Sequence, residues 1–339
     1  MAEDMAANAT AILETRASNR HTRIFHWLLA IPLAAILLWW SLRGTDWQHV
    51  GSILSRSRLD LVGAVCAIGT LSNFLRALRW RVLLSAGERL GVGTVFWATM
   101  AGYLSNSLLP ARAGEIIRSM LISRRSKLTK TYVLTTALTE RMTDAVVLVV
   151  ATRLLLWGMP QSPAWLEGAS TMACALGLAA AVIVVALRFS QGALGRLLAA
   201  LPVAADLRAR LRGLLEQVVL GFSALDDLGR LGQFCGLTAL IWLADAASSM
   251  VLARALGLHL SFPVAVLLLT ALGLGSALPS TPGYVGIYQF VAVTVLAPFG
   301  FTREEAVAYI LVVQATGYVV ITFWGVLGFW RISHKPESQ

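Results

Sequence analysis

Six apolar runs, each long enough to cross a bilayer, leave this chain few choices of fold. They are Ile24 to Leu42, Leu59 to Leu84, Tyr132 to Trp157, Leu166 to Leu187, Phe234 to Leu256 and Glu305 to Trp330. The shortest has 19 residues, about 28 Å of helix against a hydrocarbon core of about 30 Å. Backbone groups in hydrocarbon must be satisfied within the protein, so single runs of this length become helices. Composition agrees: 57% of the 339 residues are hydrophobic, 14% are charged and mean hydropathy is +0.70, far from the average of soluble domains. The expected fold class is all-α, a polytopic helical membrane protein with about six spanning helices. One membrane domain over 24–331 accounts for nearly all of the chain, between polar tails at 1–23 and 332–339. The first run is too long for a signal peptide and no A-x-A site follows it, so it reads as a retained span.

Two further apolar stretches interrupt themselves. From Thr94 the chain is apolar until Leu108-Leu109-Pro110, then resumes through Arg112-Ala113-Gly114-Glu115 to Ile122. Ala265 to Ala277 is apolar, Leu278-Pro279-Ser280-Thr281-Pro282-Gly283 breaks it, and Tyr284 to Leu296 is apolar again. Proline lacks an N–H, restricts the residue before it and suits the first turn of a new helix. The expectation is therefore two re-entrant broken hairpins, at about 93–122 and 264–297. Broken helices at membrane depth line a cavity or are buried in protein, and a matched pair points to a substrate site. Three spans separate the two, so they enter from opposite faces as an inverted repeat. Gly283 and Gly286 permit a tight turn.

The net charge of +10 fits a positive-inside distribution and anionic lipid better than nucleic acid. With both termini cytoplasmic, most Lys and Arg face inward, and Trp39, Trp40, Trp47, Trp157 and Trp165 sit at the outer interface. Leu201 to Leu225 repeats Leu, Val and Phe at helical spacing opposite Arg208, Arg210 and Arg212, the pattern of an amphipathic surface helix. No P-loop, HExxH or GxSxG occurs, and Cys66, Cys174 and Cys235 lie inside apolar runs as small core residues. The expectation is no catalytic residue, no metal, no cofactor and no enzymatic activity.

Charge inside apolar runs is the remaining signal. Glu140 lies about 15 Å along its span, where a charge costs about 2.5–3.5 kcal/mol even on lenient insertion scales. Glu140 and Asp144 share a helix face, and Arg141 is three residues from Asp144, close enough to pair. Arg112 and Glu115 open a half-helix whose free N–H groups attract anions. Arg112 and Arg118, backed by Arg76 and Arg79, form a candidate phosphate clamp. A structural ion-pair cluster pinning the hairpin to the third span is an equally open reading. Pro279, Gly283, Tyr284 and Tyr288 are candidate substrate contacts in the second hairpin, and Asp245 is a further intramembrane candidate.

Taken in order, Arg76-x-x-Arg79-Trp80, Leu109-Pro110-x-Arg112-x-Gly114-Glu115-x-x-Arg118, Glu140-Arg141-x-x-Asp144 and Leu278-Pro279-x-x-Pro282-Gly283-x-x-Gly286 resemble the transmembrane domain of lysylphosphatidylglycerol synthases and related flippase-like membrane proteins. The resemblance spans roughly Leu59 to Trp330. It implies a bacterial or archaeal inner-membrane protein that moves a lipid between leaflets. The synthases' soluble aminoacyl-transfer domain is not matched, so lipid aminoacylation is not expected. The leading expectation is a flippase for an anionic phospholipid or polyprenyl-phosphate lipid, with a homo-oligomer left open. A membrane transferase acting on a lipid-linked head group, or a scaffold for a lipid enzyme, are the alternatives.

Overall fold

The computed structural model describes residues 31–109, 113–158, 164–189, 224–276, 278 and 281–334, with 208, 213 and 221 as single positions. Pro110, Arg112, Pro279, the tail at 1–23, residues 335–339 and most of the expected 201–225 surface helix lie outside the described residues. Among the described residues all regular structure is helical. In chain order the helices are α1 (Ile31–Leu42), α2 (Trp47–Ser55), α3 (Leu59–Leu84), α4 (Val92–Leu108), α5 (Ala113–Ser123), α6 (Lys130–Trp157), α7 (Ala164–Phe189), α8 (Leu228–Ala255), α9 (Phe262–Gly275), α10 (Ile287–Leu296) and α11 (Arg303–His334). Local chemistry sets several boundaries. Asp46, Thr129 and Asp227 cap α2, α6 and α8 with side-chain oxygens, replacing partners that the first turn of a helix lacks.

Among the described residues, four stretches are long and apolar enough to cross a membrane: Leu59–Leu84, Leu228–Ala255, Pro282–Phe299 and Arg303–Ile332. Six were expected. Helix α6 has the length, at 28 residues, but carries Glu140, Arg141, Asp144 and Arg153. The Pro282–Phe299 stretch passes the same test without forming one helix. It opens with a 3₁₀ turn at Pro282–Tyr284 and turns at Gly286 (φ +89°) before the ten-residue α10. The expected break in the second apolar stretch is therefore present, as is the first, between α4 and α5.

The hydrophobic core falls into two clusters at opposite ends of the bundle. One gathers the C-terminal ends of α6 and α8 and the N-terminal ends of α3 and α11 around α9 and α10, including Leu156, Leu252, Val65 and Tyr309. The other gathers the opposite ends of the same helices around α4, including Leu83, Val133, Phe234 and Ile332. Each broken hairpin thus packs into a different end, and the tip of the second reaches Tyr318, halfway along α11.

Close backbone approach builds both hairpins. A Cβ on Gly114 would lie 1.9 Å from the Gly102 carbonyl oxygen, so α4 and α5 touch backbone to backbone. Gly283, at φ +74°, leaves space that the Tyr318 hydroxyl occupies, 1.8 Å from where a Cβ would stand. Gln314 Nε2 and Tyr318 Oη both donate to the Gly283 carbonyl, at 2.9 and 2.8 Å. Leu71, Phe74, Leu240, Leu243 and Phe323 are exposed, as lipid-facing side chains must be. Trp39, Trp40, Trp47 and Trp157 are exposed at one end of the bundle, where an interfacial belt belongs. The cysteines are not core residues: Cys66 and Cys174 are half-buried and Cys235 is exposed.

Candidate functional site

Four helices bring charged side chains to mid-depth. Arg79 of α3 is fully buried and uses all five of its N–H donors. Nη1 and Nη2 reach Asp144 Oδ1 and Oδ2 at 2.5 and 2.8 Å, Nη2 and Nε reach Glu140 Oε1 at 2.9 and 3.3 Å, and Nη1 reaches Thr238 Oγ1 at 3.2 Å. Glu140, equally buried, accepts from Arg118 Nη2 through its other oxygen at 3.1 Å. Arg118 also pairs with Glu115 at 2.5 Å and lies 4.4 Å over the Trp80 ring. Glu115 Oε1 accepts from Arg141 Nη2 and Nε at 3.0 and 3.1 Å. Beside this cluster, Arg76 pairs with Asp245, which also accepts from Ser72 at 2.6 Å.

The lattice balances: Arg76, Arg79, Arg118 and Arg141 face Glu115, Glu140, Asp144 and Asp245, four charges against four. That balance answers the problem posed by two carboxylates on one face of α6, since each gains a cation from a different helix. It also makes the lattice a mechanical clamp. Removing one member of a buried pair costs about 3–5 kcal/mol.

The geometry redistributes the expected roles. Arg141 and Asp144 do not pair with each other. Arg141 turns to Glu115 of α5 and Asp144 to Arg79 of α3. Arg79 and Arg118 are sealed in ion pairs and present no open clamp; of the expected four, Arg112 lies outside the described residues and Arg76 is held by Asp245. Gly283, Tyr284 and Tyr288 stand apart from the lattice, and none of them lines either mid-depth cavity. Tyr284, at φ +60°, stacks on Tyr288 at 5.0 Å and 11°, so both serve the hairpin turn. Trp242 escaped the sequence reading. It donates to Asp144 Oδ1 at 3.2 Å and carries Arg76 over its ring at 5.1 Å. A tryptophan inside an apolar run gives no sign of such a role until its neighbours are known.

Two cavities flank the lattice. One, of about 290 Å³, lies between α6, α8 and α9 and is lined by Arg141, Asp144, Trp242, Thr270 and Ser276 among apolar walls. Arg141 is the most accessible guanidinium of the cluster, at 30%. Two of its nitrogens serve Glu115, and among the described residues Nη1 has no hydrogen-bond partner. The other, of about 240 Å³, lies between α3, α8 and α11 beside the Arg76–Asp245 pair.

Fold and site together define a multi-pass helical membrane protein in which an ion-pair lattice ties α5 of the first interrupted stretch to α3 and α6, with a further pair joining α3 to α8. The model of the lysylphosphatidylglycerol synthase TM region matches residues 27–325, and the chain belongs to that family. It is also similar to a protein of Haloferax volcanii named Glycosyltransferase AglD, 26% identical over 320 residues. That match covers 84% of this chain and 50% of the relative, so the chain spans about half the length of the curated relative it matches. Similarity to a protein named as a glycosyltransferase overturns the expectation that the chain has no enzymatic activity.

Proposed function

We propose that the chain binds the anionic or glycosylated head group of a membrane phospholipid or polyprenyl-phosphate lipid in the cavity between α6, α8 and α9, and moves that lipid between leaflets. The observation that carries the reading is Arg141: a guanidinium whose Nη1 has no hydrogen-bond partner among the described residues, on the wall of a largely apolar cavity at membrane depth, beside Asp144 and Trp242. Arginine suits a phosphate because its planar fork matches two oxygens at once. The lattice is neutral only with Arg141 counted, so no cation is left stranded after an anionic head group departs. Acyl chains stay in the bilayer while the head group crosses. In this reading the hairpins re-enter from opposite faces as an inverted repeat, and their rocking exposes the cavity to each side in turn. Membership of a family named for lysylphosphatidylglycerol synthases supports a lipid substrate.

The test is reconstitution of purified protein into liposomes carrying labelled phosphatidylglycerol or a labelled polyprenyl phosphate. Faster leaflet exchange than in empty vesicles, slowed by Arg141→Gln, supports the reading. Exchange no faster than in empty vesicles removes it.

A second reading, a membrane transferase acting on a lipid-linked head group, is favoured by the relative named as a glycosyltransferase. Glu140 is sealed between Arg79 and Arg118, whereas Asp144 lines the cavity, so Asp144 is the carboxylate available to a bound lipid. Mass spectrometry of lipids after incubation with an activated sugar donor tests it. Product that disappears in Asp144→Asn supports transfer, and unchanged lipid masses count against it.

A further inference from the structure

The cavity between α3, α8 and α11 shares no lining residue with the one around Arg141, and its chemistry differs. We infer that it is a second binding site, selective for an uncharged, hydroxyl-rich group such as a sugar or polyol.

Each of its three helices contributes one face. Helix α3 supplies Gly69, Ser72, Asn73 and Arg76; α8 supplies Asp245, Ser248 and Ser249; α11 supplies Thr316 and Gly317. Residues three and four apart share a helix face, so these are stripes and not scattered polar positions. All three helices are long and apolar enough to cross a membrane. Their polar stripes therefore lie at a depth where hydrocarbon would offer them no hydrogen bonds.

Most of these groups are satisfied inside the protein. Ser72 donates to Asp245 at 2.6 Å, Ser249 to the Asp245 carbonyl at 2.9 Å, and Thr316 to the Val312 carbonyl at 2.7 Å. Asn73 and Ser248 are the exceptions. Both line the cavity, and among the described residues neither side chain has a hydrogen-bond partner. Both are half-buried, so their amide and hydroxyl stay open to a guest that donates and accepts.

The character of that guest follows from the surrounding charge. Arg76 is already paired with Asp245, so the cavity is neutral overall. A phosphate brings only acceptors and a negative charge. It would meet the Asp245 carboxylate, and it would leave the Asn73 carbonyl unmatched. A hydroxyl donates and accepts, so it matches Asn73, Ser248 and an Asp245 oxygen together. Val65, Leu252 and Val320 continue the same faces as apolar lining, suited to the C–H face of a sugar ring. The inference does not depend on lipid movement or on Arg141. The same chemistry serves a glycolipid head group or a free sugar.

The test uses full-length chain in phosphatidylcholine nanodiscs, with Cys66, Cys174 and Cys235 replaced by alanine and Ser248→Cys introduced. The rate at which a membrane-permeant thiol reagent modifies the introduced sulfur is then measured. Glucosyl-diacylglycerol, free glucose and phosphatidic acid are compared as protectants. Saturable slowing by the glucosyl lipid alone identifies a lipid source, and slowing by glucose as well identifies the free sugar as sufficient. Phosphatidic acid leaves the rate unchanged. Adding Asn73→Leu raises the concentration needed for protection about tenfold, the effect of one lost hydrogen bond of ~1.4 kcal/mol. Equal protection by phosphatidic acid, no protection by either sugar, or a sulfur unreactive without ligand overturns the inference. Ser248→Cys is nearly isosteric, so the protection measurement stands even where Asn73→Leu fails to fold.

Discussion

Arg79 and Asp144 are 65 positions apart in the chain and meet in a doubly hydrogen-bonded ion pair, at 2.5 and 2.8 Å, with the guanidinium fully buried. The pair joins α3 to α6. Through Glu140 and Arg118 the same lattice continues to α5 and so fixes the first hairpin.

Breaking this junction strands charge. Arg79→Gln leaves Asp144 and Glu140 short of a cation and lowers stability by about 3–5 kcal/mol. Arg79→Lys keeps the charge but loses the planar fork, and recovers only part of the loss. Thermal unfolding in nanodiscs measures both. A melting temperature equal to wild type for Arg79→Gln would show that the lattice is not the clamp described.

Arg141 behaves differently, because it is 30% exposed and, among the described residues, makes a single ion pair. Arg141→Gln costs about 1 kcal/mol or less in stability, while leaflet exchange of labelled phosphatidylglycerol falls about tenfold, equivalent to ~1.4 kcal/mol. Arg118→Gln, fully buried, shows the opposite balance and melts early. Parallel melting and exchange assays separate the two residues.

The two glycine contacts respond to substitution in distinguishable ways. Gly114→Ala sets a methyl 1.9 Å from the Gly102 carbonyl, a backbone atom that cannot yield, and the overpacking costs about 1–3 kcal/mol or more. In Gly283→Ala the obstacle is the Tyr318 hydroxyl. Adding Tyr318→Phe therefore restores part of the loss, leaving the strain of alanine at positive φ. Melting of the single and double variants checks this, and rescue is absent for Gly114→Ala whatever side chain is changed.

Gln314 bridges the second hairpin, donating to the Gly283 carbonyl at 2.9 Å and accepting from Gln289 Nε2 at 2.6 Å. Gln314→Leu leaves the Gln289 amide short of a partner, at a cost of about 1–3 kcal/mol. Hydrogen exchange speeds up first at Pro282–Tyr284 and the start of α10. Unchanged exchange there would mean that the turn holds without this bridge.

Sequence alone determined the all-helical membrane fold, the exact limits of α3 and both interruptions. Length, hydropathy and proline act locally, and in hydrocarbon the backbone has few alternatives. It also identified Glu140, Arg141, Asp144 and Asp245 as expensive groups that need partners. Tertiary structure decided which partners they took. Arg141 chose Glu115 over Asp144 three residues on, and Trp242 joined Asp144 to Arg76. Those choices depend on how three or four helices rotate and approach, which periodicity does not encode. The same holds for Asn73 and Ser248: each is an ordinary polar residue in its own helix, and only the meeting of α3, α8 and α11 encloses them in one cavity.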